Sequence, residues 1–257
     1  MSKFVNIEDW RQERDREVIQ KIEDKKRKSF KRPLTENHLH YMQLIAEKSV
    51  VACVGPAGTG KTSLACQVAS KLICSGTIQN IVITRPLVEC GGKLGFLPGG
   101  VEDKMSFFIA AVVKALKRDM GSDQYERLKK EEKILVIPLE QMRGETFDDA
   151  VVIVDEPQNA TYEQLHMALT RLGDNCHIVL CGDLKQSDLV RAKNNLDAVP
   201  LMKVIRSLSK MKEPDIGICV MTHQDVLRPP LVAKIDKALC ETEKEEVSSP
   251  SYYRRRV

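Results

Sequence analysis

Along this chain, short unbroken apolar runs alternate with longer stretches in which apolar residues recur at helical spacing. "SVVACVG" (49–55), "IQNIVITR" (78–85), "KILVIP" (133–138), "AVVIVDE" (150–156) and "CHIVLCGD" (176–183) are short, rich in β-branched residues and largely apolar. Such runs predict strands of a parallel sheet covered on both faces, because they leave no polar alternation for a wet face. Helical periodicity fills 61–75, 102–118 and 161–172 between them; helix-like 195–209, strand-like "DIGICVM" (215–221) and helix-like 231–240 follow. Strand–helix alternation predicts an α/β fold with right-handed crossovers and helices on both faces of a mostly parallel sheet. Ahead of the first strand, "LTENHLHYMQLIAEKS" predicts a short helix capped by Thr35, with Leu39, Met42, Leu44 and Ile45 turned to the core.

The ends of the chain lack this pattern. Residues 8–31 alternate charges with few apolar positions, which reads as an exposed helix or a loose arm closed by Pro33. The tail "SSPSYYRRRV" reads as flexible. The organisation expected is a charged arm over 1–32, one domain over 33–240 and a tail over 241–257. Charge sharpens this division. Residues 1–32 hold eleven Lys/Arg against seven Asp/Glu, which equals the net +4 of the whole chain, so the remainder is neutral. A basic arm on a neutral body suits either contact with nucleic acid or a solvated charged helix.

No stretch approaches the roughly 18 uninterrupted apolar residues of a spanning helix, so no membrane partner is expected. The N-terminus carries acids throughout and has no apolar centre, unlike a secretory signal. Of eight cysteines, Cys53, Cys176, Cys181 and Cys219 lie inside apolar runs, and no C-x-x-C pair offers zinc spacing. A reduced, cytoplasmic protein is the expectation.

The chemistry begins at "GPAGTGKT" (55–62), which follows the first strand-like run and opens a helical one. This is G-x-x-x-x-G-K-[ST] in the context it requires. Gly55, Ala57, Gly58, Thr59 and Gly60 supply backbone amides around phosphates, with Lys61, Thr62 and Ser63 at the helix N-terminus. Lys61 is expected on the outer phosphates and the Thr62 hydroxyl on Mg2+. "VVIVDE" delivers Asp155 to the carboxyl end of a strand, where open α/β sheets bind ligands, and Asp155 is the second candidate Mg2+ holder. Glu156, directly after it, is the candidate base for an attacking water. A small-molecule kinase would exclude such a group, so the pair favours hydrolysis over transfer. "LCGDLKQSDL" (180–189) ends another strand and offers Gln186 as a γ-phosphate sensor, with Asp183 as helper.

Together "GPAGTGKT", "RPLVECGGKLGFLPGG", "MRGETFDDAVVIVDEPQNATYEQLHMALTRLG" and "LCGDLKQSDL" resemble the PhoH-like ATPase family over roughly residues 34–240. That family is similar to the first motor domain of superfamily 1 helicases. The resemblance implies a RecA-like P-loop NTPase fold, ATP and Mg2+ as cofactors, association with RNA or single-stranded DNA, and assembly as a ring. Three departures stand out. Pro157 in "DEPQN" should stiffen the turn after the acids, and Glu145 in "MRGET" replaces a basic residue. Where the family reads adenine with a glutamine after Asn, Asn37 is followed by His38. His38 then either meets the base, by hydrogen bond or stacking, or is an ordinary helix-surface histidine. Strict ATP preference is not implied.

Arg85, at the end of "ITR", is a candidate nucleic-acid contact or a core-edge residue. Lys93 and Phe96, in the glycine-rich 90–100 segment, suit a strand's phosphates and a stacked base. Arg228 in "LRPPLV" is expected near the γ-phosphate of a neighbouring subunit, stabilising transition-state charge, or as a plain surface arginine. Past residue 190 the chain offers too little for a second motor domain. A head-to-tail homo-oligomeric ring, a hexamer favoured, would close the ATP face and supply an arginine. The leading reading is thus an ATPase coupled to RNA or single-stranded DNA. A nucleotide-gated binding module with negligible turnover is the alternative, and a small-substrate kinase is third.

Overall fold

In the computed structural model of the protein, residues 33–86, 101–187, 199–229, 231 and 235 are described, with side chains omitted for 101–108. The arm, the glycine-rich segment holding Lys93 and Phe96, and the tail therefore lie outside the described residues.

Six strands form one sheet. They are β1 (Val50–Val54), β2 (Asn80–Arg85), β3 (Ile134–Pro138), β4 (Ala150–Asp155), β5 (His177–Gly182) and β6 (Ile216–Val220), in the order β3-β2-β4-β5-β1-β6. Every neighbouring pair is parallel. This is the α/β, RecA-like arrangement expected from the alternating runs. β5 stands between the phosphate-loop strand β1 and the acid-bearing strand β4.

Successive side chains on a strand point to opposite faces, and both faces here are apolar. Val51, Ile81, Val151, Ile153 and Val179 pack under α1 (Glu36–Glu47), α2 (Lys61–Cys74), α3 (Val101–Met120) and α4 (Ser122–Lys130). Ala52, Val82, Val152, Val154 and Leu180 pack under α5 (Tyr162–Leu169) and α6 (Pro200–Met211). Burying each such Val, Leu or Ile contributes about 1.5–3 kcal/mol. Continuous β-branched runs were therefore the right sequence signal.

Local details follow from the residues present. Thr35 caps α1 in a reciprocal box with His38: the Thr35 hydroxyl accepts from His38 N, and His38 Nδ1 accepts from Thr35 N. α6 starts at Pro200 in its first turn, later than the expected 195–209, whose first residues lie outside those described. The expected helix over 231–240 is described only at Leu231 and Ile235, both helical and exposed. α4 has no apolar periodicity to announce it, since only Tyr125 and Leu128 are buried in "SDQYERLKK". Among the described residues, no helix is long and apolar enough to cross a membrane, and six cysteines are free thiols, five of them buried.

Because all six strands are parallel, their carboxyl ends share one edge of the sheet. The phosphate loop leaves β1 there, Arg85 ends β2, Asp155 ends β4 and Asp183 follows β5. The site is assembled along this edge.

Candidate functional site

The loop between β1 and α2 turns through two left-handed glycines, Gly58 at φ +82° and Gly60 at φ +81°. A side chain is disfavoured at such φ values. It would also collide: a Cβ on Gly58 would stand 2.7 Å from Arg228 Cδ. Lys61 Nζ donates to Gly55 O at 2.7 Å and to Pro56 O at 2.9 Å, so its ammonium lies in the bowl of the loop. Thr59 turns inward, its hydroxyl donating to Pro56 O at 2.9 Å.

A cleft of about 430 Å³ opens over this loop. Ala57, Gly58, Gly60, Lys61, Thr62 and Ser63 line its floor, while Gly55 and Thr59 lie in the loop without facing it. Asp155, Glu156, Asp183 and Gln186 line the sheet side, and Arg85 and Arg228 add two cations. The structure thus gathers in one cleft acids from β4 and the β5 turn that the sequence separates from the loop by some hundred residues.

The Thr62 hydroxyl donates to Asp155 Oδ1 at 2.6 Å, and Arg85 Nη1 stands 3.6 Å from Asp155 Oδ2. Burial pushes the Asp155 carboxyl above its ordinary value, with the Thr62 hydrogen bond and the Arg85 charge acting against that. Burial likewise raises Asp183, against the backbone N–H of Lys185. A hydroxyl and a carboxylate side by side are hard oxygen donors. Among the described residues no cluster of three or more His, Cys, Asp or Glu could hold a metal by itself. That donor set fits Mg2+, which is commonly held by one or two carboxylates together with substrate phosphates.

Glu156 sits at φ +52°, a left-handed conformation that is uncommon outside glycine. Pro157 opens a 3-10 turn over Pro157–Asn159 directly after it, giving the stiff turn expected from "DEPQN". The same turn folds Gln158 back, and its Nε2 donates to Glu156 Oε2. Gln158 has no counterpart among the residues singled out from sequence. Its only signal there was its place two positions after Glu156.

Three expectations change. His38 is fully buried, not on the helix surface, and both ring nitrogens are engaged. Nδ1 accepts from Thr35 N at 2.9 Å, so Nε2 carries the proton and donates to Thr59 O at 3.0 Å. The ring therefore braces the phosphate loop and has no free edge for a base. Asn37 is held too, its amide donating to Asp225 Oδ2 at 3.0 Å. Arg85 turns into the cleft beside Asp155, so its guanidinium stands with the acids of the site and not at a core edge. Arg228 lines the cleft of its own chain, with Leu227 N donating to Gly58 O at 2.9 Å just before it. The segment carrying Arg228 is braced in turn by Asp225, which accepts from the Thr35 hydroxyl at 2.5 Å and from Thr222 N at 2.7 Å.

Comparison with known proteins agrees with the motifs. The family described as PhoH-like protein matches residues 31–240. A PhoH-like protein of Synechocystis is 35% identical over 97% of this chain and 74% of its own length. One from Bacillus subtilis is 39% identical over 79% of this chain and 62% of its own length. For the PhoH protein of Escherichia coli the identity is 37%, over 61% of this chain and 45% of that protein. The chain thus spans about half to three-quarters of the length of these relatives. Among solved structures, the large terminase of a thermophilic bacteriophage aligns with a TM-score of 0.48 at 14% identity, over 80% of this chain and 50% of that one. The Pif1 helicase of Candida albicans aligns at 0.35 and 16%, over 76% and 41%. With its phosphate loop, its paired acids and a family match spanning nearly the whole described fold, the chain belongs to the PhoH-like protein family.

Proposed function

We propose that the protein is a Mg2+-dependent ATPase whose turnover is coupled to RNA or single-stranded DNA. The observation that carries the reading is the Thr62–Asp155 contact of 2.6 Å with Glu156 adjoining it, all facing one cleft with Lys61. A holding pair and a base in that order is what hydrolysis of a phosphoanhydride needs.

The roles follow from placement. Backbone amides of the loop and the N-terminus of α2 bind the phosphates. Lys61 exchanges its carbonyl partners Gly55 and Pro56 for the β- and γ-phosphates. Thr62 and Asp155 are the residues that would hold Mg2+, which neutralises phosphate charge when bound. Glu156 orients a water and takes its proton. Arg228 offers a guanidinium to the developing charge, and Gln186 contacts the γ-phosphate from the β5 turn. Since both ring nitrogens of His38 are engaged within the protein, His38 does not read the base on this account, and Asn37, tied to Asp225 through its amide nitrogen, is the one of the two left to meet adenine.

Polymer coupling is supported by the charge excess of residues 1–32, by the Lys93 and Phe96 segment and by the family resemblance. A ring of subunits, hexameric in the leading form, keeps one motive of two. The ATP face is still open, but the arginine is already in cis. Phosphate release from ATP with Mg2+, measured with and without single-stranded RNA and DNA, tests the reading. Turnover raised by one polymer supports it and identifies the class. Nucleotide binding with negligible release under every condition would instead favour a nucleotide-gated binding module.

A further inference from the structure

Gln158 is fully buried, yet each polar atom of its side chain has a specific partner. Its Nε2 donates to Glu156 Oε2, and its Oε1 accepts from Asp183 N at 3.0 Å. Its backbone carbonyl accepts from the Ser187 hydroxyl at 2.9 Å. The residues it grips flank Gln186, whose own N–H donates to Asp183 O at 3.1 Å. Packing around the amide is close: a Cβ on Gly182 would stand 3.3 Å from Pro157 Cγ and 3.4 Å from Gln158 Oε1. One side chain therefore ties the carboxylate after β4 to the turn after β5.

We propose that Gln158 is a positioning residue that orients Glu156 for attack on the γ-phosphate and links that orientation to the β5 turn bearing Gln186. This inference rests on the hydrolysis reading. A glutamate side chain on a surface cleft samples several rotamers, and only one aims an oxygen at an in-line water. The amide of Gln158 occupies one carboxylate oxygen and leaves the other for that water. A displacement of the β5 turn on contact with the γ-phosphate would reach Oε1, and through the same rigid amide it would reach Glu156. A hydrophobic residue of equal size would fill the space but hold nothing.

The test uses the full chain with Gln158→Met, Gln158→Glu, Glu156→Gln and the double variant E156Q/Q158M. Phosphate release, fluorescent ATP-analogue affinity and melting temperature are measured for each. Gln158→Met should lower kcat roughly 10–100-fold, the loss expected for one hydrogen bond to a charged group. KM and nucleotide affinity should stay within about threefold, as for a loss confined to the transition state. Gln158→Glu still accepts from Asp183 N but faces Glu156 with a second carboxylate, so it should be at least as slow. This isosteric variant carries the test if Gln158→Met does not fold. The double variant should be no slower than Glu156→Gln alone, because Gln158 acts through Glu156. A merely structural latch would add its cost to that background. Wild-type kcat in both Gln158 variants, faster turnover, or a loss fully additive with Glu156→Gln overturns the inference and leaves the ATPase reading standing. A wild type that releases no phosphate overturns the ATPase reading and this inference with it.

Discussion

Gly58→Ala probes the placement of Arg228 most sharply. At φ +82° an alanine costs about 1–2 kcal/mol from backbone strain alone. The added Cβ would also stand 2.7 Å from Arg228 Cδ, 2.8 Å from Nε and 2.9 Å from Cγ, closer than real Cβ atoms come. The obstructing atoms belong to a flexible, exposed side chain, so the guanidinium moves before the loop does. Two effects should then separate. The melting temperature falls by roughly 2–4 °C for each kcal/mol of strain, the scale for a domain of this size. Independently, kcat falls toward that of Arg228→Ala, about 10²–10³-fold if the guanidinium is a donor to the transition state. Combining the changes decides the matter. In an Arg228→Ala background the alanine at 58 has nothing to displace, so it should cost only the backbone term and no further kcat. Melting curves and phosphate release for the two single variants and the double variant give the cycle. A Gly58→Ala variant with wild-type kcat, or equal kcat losses in both backgrounds, would refute the placement of Arg228 in its own cleft.

Other consequences are checked more simply. Asp155→Asn should melt no lower than wild type and up to a few degrees higher, since it removes a carboxylate whose buried charge the fold disfavours. The sign follows from the raised carboxyl: the stability present below the unfolded-state value is lost as pH rises through the higher folded-state value. The same variant should lose thermal stabilisation by ATP with Mg2+. His38→Ala should lower the melting temperature by roughly 4–8 °C, equivalent to about 2 kcal/mol for a buried carbonyl left without its donor. It should leave the ratio of ATP to GTP turnover unchanged; a changed ratio would restore His38 as a base reader. Of the six described cysteines only Cys74 is exposed, and burial pushes Cys181 up to about 12 and Cys176 to about 11. Iodoacetamide mapping of native protein should therefore label Cys74 well before those two.

The sheet was legible because its strands are five or six residues long and mostly apolar, the four central ones almost wholly buried, so their boundaries shifted by a residue or two only. α4 was not legible. Its stability comes from Tyr125 and Leu128 docking on the sheet's neighbour helix, while the remaining positions are polar. At the site, the loop, Asp155 and Glu156 were legible because their chemistry depends on short spacing after a strand. His38, Arg85 and Arg228 depend instead on what packs against them. His38 is buried because α1 lies across the phosphate loop, and Arg228 reaches the cleft because Leu227 N binds Gly58 O. Gln158 needed both the 3-10 turn after Glu156 and the adjacency of β4 and β5, and only the folded sheet supplies the second.

The central claim is hydrolysis with Glu156 as base, and the most direct measurement compares phosphate release by wild type and Glu156→Gln at saturating ATP and Mg2+, with nucleotide affinity measured beside it. The account predicts turnover in wild type, a loss of roughly 10²–10⁴-fold in the nearly isosteric variant, and equal nucleotide affinity in both. Equal rates of release in the two proteins, above that of ATP alone, would contradict it and place the base elsewhere.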